Sequence, residues 1–265
     1  MVVVLEENHS YSQVIGNSAM PFLNQLATAN SVATQYDANA HPSLPNYFML
    51  TTGQLITMDD KFPGPVADDN MVRELVTAGK SWKSYAESLP SVGYTGGDKY
   101  PYVKHHNPFA YFTDVIGTAQ AANLVPFPQF SADLSAGQLP SFSFIIPNLQ
   151  HNAHDCLNGG TTCSDNDKLA AADTWLQQNI GPLLNDPNFQ ASGLLIVVFD
   201  EGALSDLAGG GGHVAMVMAG TGVKKGFQSN VSHDHAALLR LVLKGLGVPN
   251  LPGSAAIAGD MAEFF

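Results

Sequence analysis

Six apolar residues, Leu194-Leu195-Ile196-Val197-Val198-Phe199, run without a polar interruption straight into Asp200, Glu201 and Gly202. A strand with one face in water alternates polar and apolar residues. An unbroken apolar run needs cover on both faces, the situation of a strand inside a parallel sheet with helices above and below. In open α/β sheets ligands gather at the carboxyl ends of the strands, which is where these two carboxylates stand. The chain opens on the same design, Val2-Val3-Val4-Leu5 followed by Glu6, Glu7, Asn8 and His9. If the two strands are neighbours, several oxygen donors converge at one sheet edge, the makings of a divalent-metal site.

The remaining pattern supplies the helices and strands such a sheet requires. Apolar spacing predicts helices over 20–29, from just after Ser43 to about 53, over 68–78, over 167–180 and over 232–245, with strands at 82–85, 141–148 and 213–219. His233, Asp234 and His235 would then occupy the last helix's first turn. This alternation predicts one domain over 1–265, with a doubly wound, mostly parallel sheet. The run Gly209 to Gly212 reads as a flexible linker suited to a mobile lid. Ala78-Gly79-Lys80-Ser81 resembles the end of a phosphate-binding loop, but Glu74 stands where that pattern requires glycine.

Composition narrows the function. The formal net charge is -12, from 11 Lys and Arg against 23 Asp and Glu, and no basic stripe is present for a nucleic acid to follow. A phosphate substrate remains possible, because a bound cation inverts the local sign. No apolar run approaches the ~20 residues of a membrane span, so stable membrane insertion is not expected. Cys156 and Cys163 flank six residues that include Gly159 and Gly160. That loop closes readily into a disulfide and differs from the spacing of zinc pairs. A core strand beginning at residue 2 is read as the sequel to a removed export signal, and the expected location is secreted or periplasmic.

Ser43 lies between Pro42 and Pro45 where a helix begins. It can serve as a cap, or as a nucleophile whose alkoxide is stabilised by the helix N-terminus. His105 and His106, with Lys104, make a compact donor cluster suited to phosphate oxygens. The loop after the 141–148 strand carries His151, His154 and Asp155. Oxygen donors Glu7, Asn8, Asp200 and Glu201 suit Mg²⁺, Ca²⁺ or Mn²⁺, with zinc as a further candidate. A serine beside such a cation can attack phosphorus in line, and histidines can hold the equatorial oxygens or protonate the leaving oxygen.

With these residues in view, the chain resembles the bacterial phosphoesterase family of the alkaline phosphatase superfamily, which contains acid phosphatases and phospholipases C. The resemblance is carried by Glu7-Asn8-His9-Ser10-Tyr11, His41-Pro42-Ser43-Leu44-Pro45-Asn46-Tyr47, His105-His106-Asn107-Pro108-Phe109, His154-Asp155, Phe199-Asp200-Glu201-Gly202 and Gly211-Gly212-His213-Val214. It implies a three-layer α/β/α sandwich and a metal held by Glu7, Asn8, Asp200 and Glu201. Ser43 would be the phosphorylated nucleophile, with His105, His106, His154 and His213 around the phosphoryl group. The implied activity is a metal-dependent acid phosphatase on small phosphomonoesters or lipid head groups. A phospholipase C or other phosphodiesterase on the same fold is the alternative, and a non-catalytic anion-binding protein a further one. Adjacent strand residues point to opposite faces, so Asp200 is the firmer ligand and Glu201 the weaker.

Overall fold

All six residues of Leu194–Phe199 are buried, and the sheet is built around them. In a computed structural model of residues 1–265, the strands in chain order are β1 (Val2–Glu6), β2 (Ser31–Ala33), β3 (Tyr36–Asp37), β4 (Trp82–Ala86), β5 (Leu124–Pro126), β6 (Phe142–Ile146), β7 (Leu194–Phe199), β8 (Met216–Gly220), β9 (Phe227–Ser229) and β10 (His233–Asp234). The helices are α1 (Tyr11–Val14), α2 (Pro21–Ala29), α3 (Ser43–Thr52), α4 (Met71–Thr77), α5 (Pro128–Ser135), α6 (Asp165–Asn179), α7 (Pro187–Ser192) and α8 (His235–Gly245).

Eight strands form one sheet in the order β5-β4-β6-β1-β7-β8-β2-β9, while β10 pairs with β3 apart from it. β1 lies parallel between β6 and β7, and only β8 runs against its neighbours β7 and β2. α3 packs on α8 and α4, and α2 packs on α6. Helices thus cover both faces of the sheet, the three-layer α/β/α sandwich that the sequence implies, around one continuous apolar core. Register decides the site. Glu6 lies opposite Phe199, so Glu7 and Asp200 leave neighbouring strands at the same level. The Asp200 N–H donates to the Glu6 carbonyl at 2.9 Å.

The local readings hold in outline and shift at their ends. α4 starts at Met71 because the Asn70 side chain accepts from Val72 N and Arg73 N, leaving 68–70 outside the helix. α6 begins two residues earlier than expected, behind a Ser164–Asp167 capping box. The last helix starts at His235, not at 232. Asp234 is its cap, accepting from Ala237 N at 3.0 Å, and His233–Asp234 pair with Tyr36–Asp37 as a short strand. The expected strand at 213–219 starts only at Met216. β2, β5 and β9 carry no periodicity signal, each being three residues long.

The glycine run is not slack. Its backbone is tied on both sides: Gly202 N donates to the Gly211 carbonyl at 2.7 Å, Gly211 N to the Ala38 carbonyl at 3.1 Å, and Ala38 N to the Gly212 carbonyl at 2.9 Å. Gly209 has φ +61°, and a Cβ there would come within 2.9 Å of the Ala38 carbonyl oxygen. Glycine is used here for close backbone approach rather than for a lid. Cys156 and Cys163 form a disulfide with Cα atoms 5.8 Å apart. No helix is long and apolar enough to cross a membrane.

Candidate active site

The segment leading into α3 is locked by one buried side chain. Asn46 accepts from Asn39 N and Ala40 N, each at 3.0 Å, and donates to the Ala40 carbonyl at 2.7 Å. Pro42 is the cap residue, so Ser43 becomes the first residue of the helix rather than its cap. Its hydroxyl lies 3.2 Å from Glu7 Oε2 and 3.3 Å from Glu201 Oε1. The next amide, Leu44 N, donates to Asp60 Oδ1 at 2.9 Å.

Tyr47 is one helical turn beyond Ser43, on the same face. Its hydroxyl donates to the other oxygen of Glu7, so two hydroxyls from successive turns of α3 hold one carboxylate. The Tyr47 ring stacks on His106, with centroids 5.2 Å apart and planes 7° from parallel. His106 is buried, and its Nε2 lies 3.4 Å from Glu7 Oε2. His105 packs edge-on against it at 4.5 Å, and His154 lies at 6.2 Å. His154 Nδ1 is 2.7 Å from Asp155 Oδ1. His41 sits between two acceptors, Glu201 Oε2 at 2.7 Å and the Asp206 carbonyl at 2.8 Å.

The structure therefore gathers Ser43, Glu7, Asp200, Glu201, His105, His106 and His154 at the carboxyl edge of the sheet. Asn8 joins them in a left-handed turn at φ 52°, its N–H donating to Asp200 Oδ1 at 3.3 Å; asparagine is among the few residues that visit this conformation routinely. Glu201, expected to be the weaker ligand, reaches the Ser43 hydroxyl directly at 3.3 Å. β7 ends at Phe199, so the alternation of faces expected for neighbouring strand residues no longer applies. His213 is the exception. Its ring stacks on Tyr11 at 4.5 Å with Nε2 buried and unpartnered, and its backbone N–H donates to Asp206 Oδ2 at 3.2 Å, so none of these contacts runs to Ser43. The late start of β8 leaves it ahead of that strand, in an isolated antiparallel bridge to Asp37.

Charge at this edge is concentrated and uncompensated. Burial first, and then Asp200 and Glu201, hold the Glu7 carboxyl well above its usual range. Burial and the neighbouring Glu201 do the same to Asp200. Burial pushes Glu201 up to about 8, with Asp60 adding to the effect. His106 is driven well below the usual imidazole range by burial, then by His105 and His154. Asp200 Oδ2 and Asn8 Oδ1 are shut off from solvent without a hydrogen-bond partner.

Three close carboxylates and an amide oxygen, two of their atoms unpartnered, make a donor set that suits a hard divalent cation. The side chains do not yet close on one point as a cage of three or more His, Cys, Asp or Glu ligands; the Ser43 hydroxyl stands between Glu7 and Glu201. Tyr47 and Asp60 were not singled out from the sequence. The four-residue spacing from Ser43 could have marked Tyr47, whereas nothing local marks Asp60.

This fold is that of the alkaline phosphatase superfamily. A member of that superfamily from Vibrio parahaemolyticus superposes with a TM-score of 0.66 at 14% identity, covering 99% of this chain and 71% of the other. The lipoteichoic acid synthase LtaP from Listeria monocytogenes gives 0.67 at 12% identity, over 95% of this chain and 73% of that one.

The chain belongs to the Phosphoesterase family, whose model matches residues 17–249. It is 32% identical over 237 residues to a phosphatidylinositol-3-phosphatase of Mycobacterium tuberculosis, covering 88% of this chain and 72% of that protein. It is 29% identical over 264 residues to a probable acid phosphatase of Kluyveromyces lactis, covering 94% of this chain and 58% of the relative. A phosphate-repressible acid phosphatase of Penicillium chrysogenum is also 29% identical, over 86% of this chain and 55% of its own length. The chain thus spans little more than half of these two fungal relatives.

Proposed function

We propose that this protein is a metal-dependent acid phosphatase that cleaves phosphomonoesters, phosphoinositide head groups among them, through a phosphoserine on Ser43. The carrying observation is the setting of that hydroxyl: first residue of a helix, within 3.3 Å of two buried carboxylates and beside a wall of three histidines. A serine that served only to cap α3 would have no use for such surroundings.

Glu7, Asn8, Asp200 and Glu201 would hold the cation, which supplies positive charge to offset the carboxylates and to favour an ionised serine. The chain's own groups do the rest. The Ser43 proton passes to an adjacent carboxylate as Oγ bonds to phosphorus and the ester P–O bond breaks. His105 or His154 gives a proton to the departing oxygen, and His106, held by the Tyr47 stack, faces the phosphoryl oxygens. Water then attacks phosphoserine, releasing phosphate and restoring the hydroxyl. The His213 backbone N–H steadies Asp206, whose carbonyl in turn contacts His41.

Burial lowers the affinity of His105 and His106 for protons, so a protonated imidazole at this wall calls for acid, in keeping with the acid-phosphatase type. The disulfide suits an oxidising compartment, and we assign the protein a secreted or periplasmic setting. The test is Ser43→Ala assayed with p-nitrophenyl phosphate. Turnover should vanish with the melting temperature retained, and acid-quenched wild type should carry phosphate on Ser43. Undiminished turnover in the variant would remove the nucleophile from this account.

A further inference from the structure

Lys104 belongs to the same 3₁₀ turn as His105 and His106, yet the reaction described above leaves it unused. Its backbone N–H donates to Asp98 Oδ1 at 2.8 Å. Its ammonium lies 4.1 Å from the centre of the Tyr111 ring and makes no ion pair. Among the half-buried lysines and arginines of the chain, Lys80 and Lys168 share this lack of an ion pair, while Arg73, Lys83 and Arg240 each have one. Lys83 and Arg73, similarly placed, are paired with Asp133 at 2.5 Å and Asp114 at 3.0 Å.

The platform beneath Lys104 is rigid and tied to the nucleophile's helix. Tyr111 is buried, packs edge-on against Phe48 of α3 at 5.5 Å, and stacks on Phe62 at 6.2 Å. In a 3₁₀ turn successive residues project about 120° apart. Lys104 and His106 therefore leave the turn on different sides, with the Lys104 ammonium over the Tyr111 ring. Burial lowers the proton affinity of its ammonium, partly offset by Asp98. A partly desolvated cation with no direct ion pair gains from an anion brought by a ligand.

We propose that Lys104 binds a second anionic group of the substrate, a phosphate or phosphodiester carried beside the phosphate being cleaved. The preferred substrates are then polyol phosphates with more than one phosphoryl group, such as a bisphosphorylated inositol ring. The inference rests on the phosphatase reading and deepens it.

The test is Lys104→Met, which keeps an apolar stem over Tyr111 and removes the charge. Three substrates are compared: p-nitrophenyl phosphate, soluble inositol 1,3-bisphosphate, and phosphatidylinositol 3-phosphate in phosphatidylcholine vesicles. The expected result is a loss of about 10-fold in kcat/KM, carried by KM, on substrates with the second anion, and a change within about two-fold on p-nitrophenyl phosphate. Loss in both inositol arms assigns the contact to the head group's second phosphate. Loss in the vesicle arm alone assigns it to the lipid phosphodiester. An equal loss on p-nitrophenyl phosphate, or none in either inositol arm, overturns the proposal.

A binding measurement separates the two readings. In the Ser43→Ala background, Lys104→Met should weaken calorimetric binding of inositol 1,3-bisphosphate about 10-fold and leave inorganic phosphate unaffected. Unchanged affinity for the bisphosphate refutes the role of Lys104, whereas absence of p-nitrophenyl phosphate turnover in wild type refutes the phosphatase reading.

Discussion

Replacing Glu201 by glutamine should make the chelator-treated protein more stable at alkaline pH, although it removes a group from the centre of the site. Burial pushes this carboxyl from 4.5 up to about 8, its contact with Ser43 opposing and Asp60 adding to the effect. Between those values the folded protein keeps a proton that the unfolded chain has released. Stability therefore falls as pH rises through the window. At about 1.4 kcal/mol per pH unit, the loss amounts to roughly 5 kcal/mol above pH 8. Glu7 and Asp200 are raised by the same burial and crowding and act with the same sign. Glutamine keeps an acceptor for His41 and carries no charge.

The assay is a series of thermal melts after chelation, from pH 5 to 9. Wild type should lose melting temperature across the range, and Glu201→Gln should gain about 10–20 °C at pH 8 with little change at pH 5, on a scale of ~2–4 °C per kcal/mol for a domain of this size. Added Mg²⁺, Ca²⁺ or Mn²⁺ should restore wild type at pH 8 by several degrees, since a ligand at 100 times its Kd contributes about 2.7 kcal/mol. The variant should respond far less. A flat profile for chelated wild type, or a variant that melts lower than wild type at pH 8, would refute the reasoning.

Two further outcomes follow from the same edge of the sheet. Tyr47→Phe removes the hydroxyl that holds Glu7 while keeping the stack on His106. It should lower kcat by about 10- to 100-fold with KM nearly unchanged, since hydrogen bonds to charged groups contribute ~1.5–3 kcal/mol; a purely structural residue would lower the melting temperature and spare kcat. His235 is buried between the Asp200 carbonyl at 2.6 Å and the Tyr36 hydroxyl at 3.0 Å, and burial lowers its pKa to about 4. The unfolded chain binds this proton first as pH falls, so about 3 kcal/mol of stability is lost between pH ~6.5 and ~4. Urea midpoints at pH 7 and pH 4.5 should show that loss in wild type and a smaller one in His235→Gln.

Much of this architecture is legible from short stretches of chain. The unbroken runs at 2–5 and 194–199 announce doubly covered strands, because only burial on both faces removes the need for alternation. Carboxylates directly after them mark the functional edge, and prolines around Ser43 mark a helix start. Such signals are local, written in neighbours two to four residues apart.

What only the tertiary structure decided lies between residues far apart in the chain. Ser43 meets Glu201 across 158 positions of sequence. Asp60 comes to the α3 amide from a loop with no periodicity, and Tyr47 grips Glu7 because α3 crosses the end of β1. The antiparallel course of β8 brings His213 to the right edge but turns it onto Tyr11. The glycine run closes on 38–40 instead of swinging free. Periodicity and caps are dictated by the backbone's own repeat. Which side chains finally touch depends on how whole layers pack, and no local pattern carries that information.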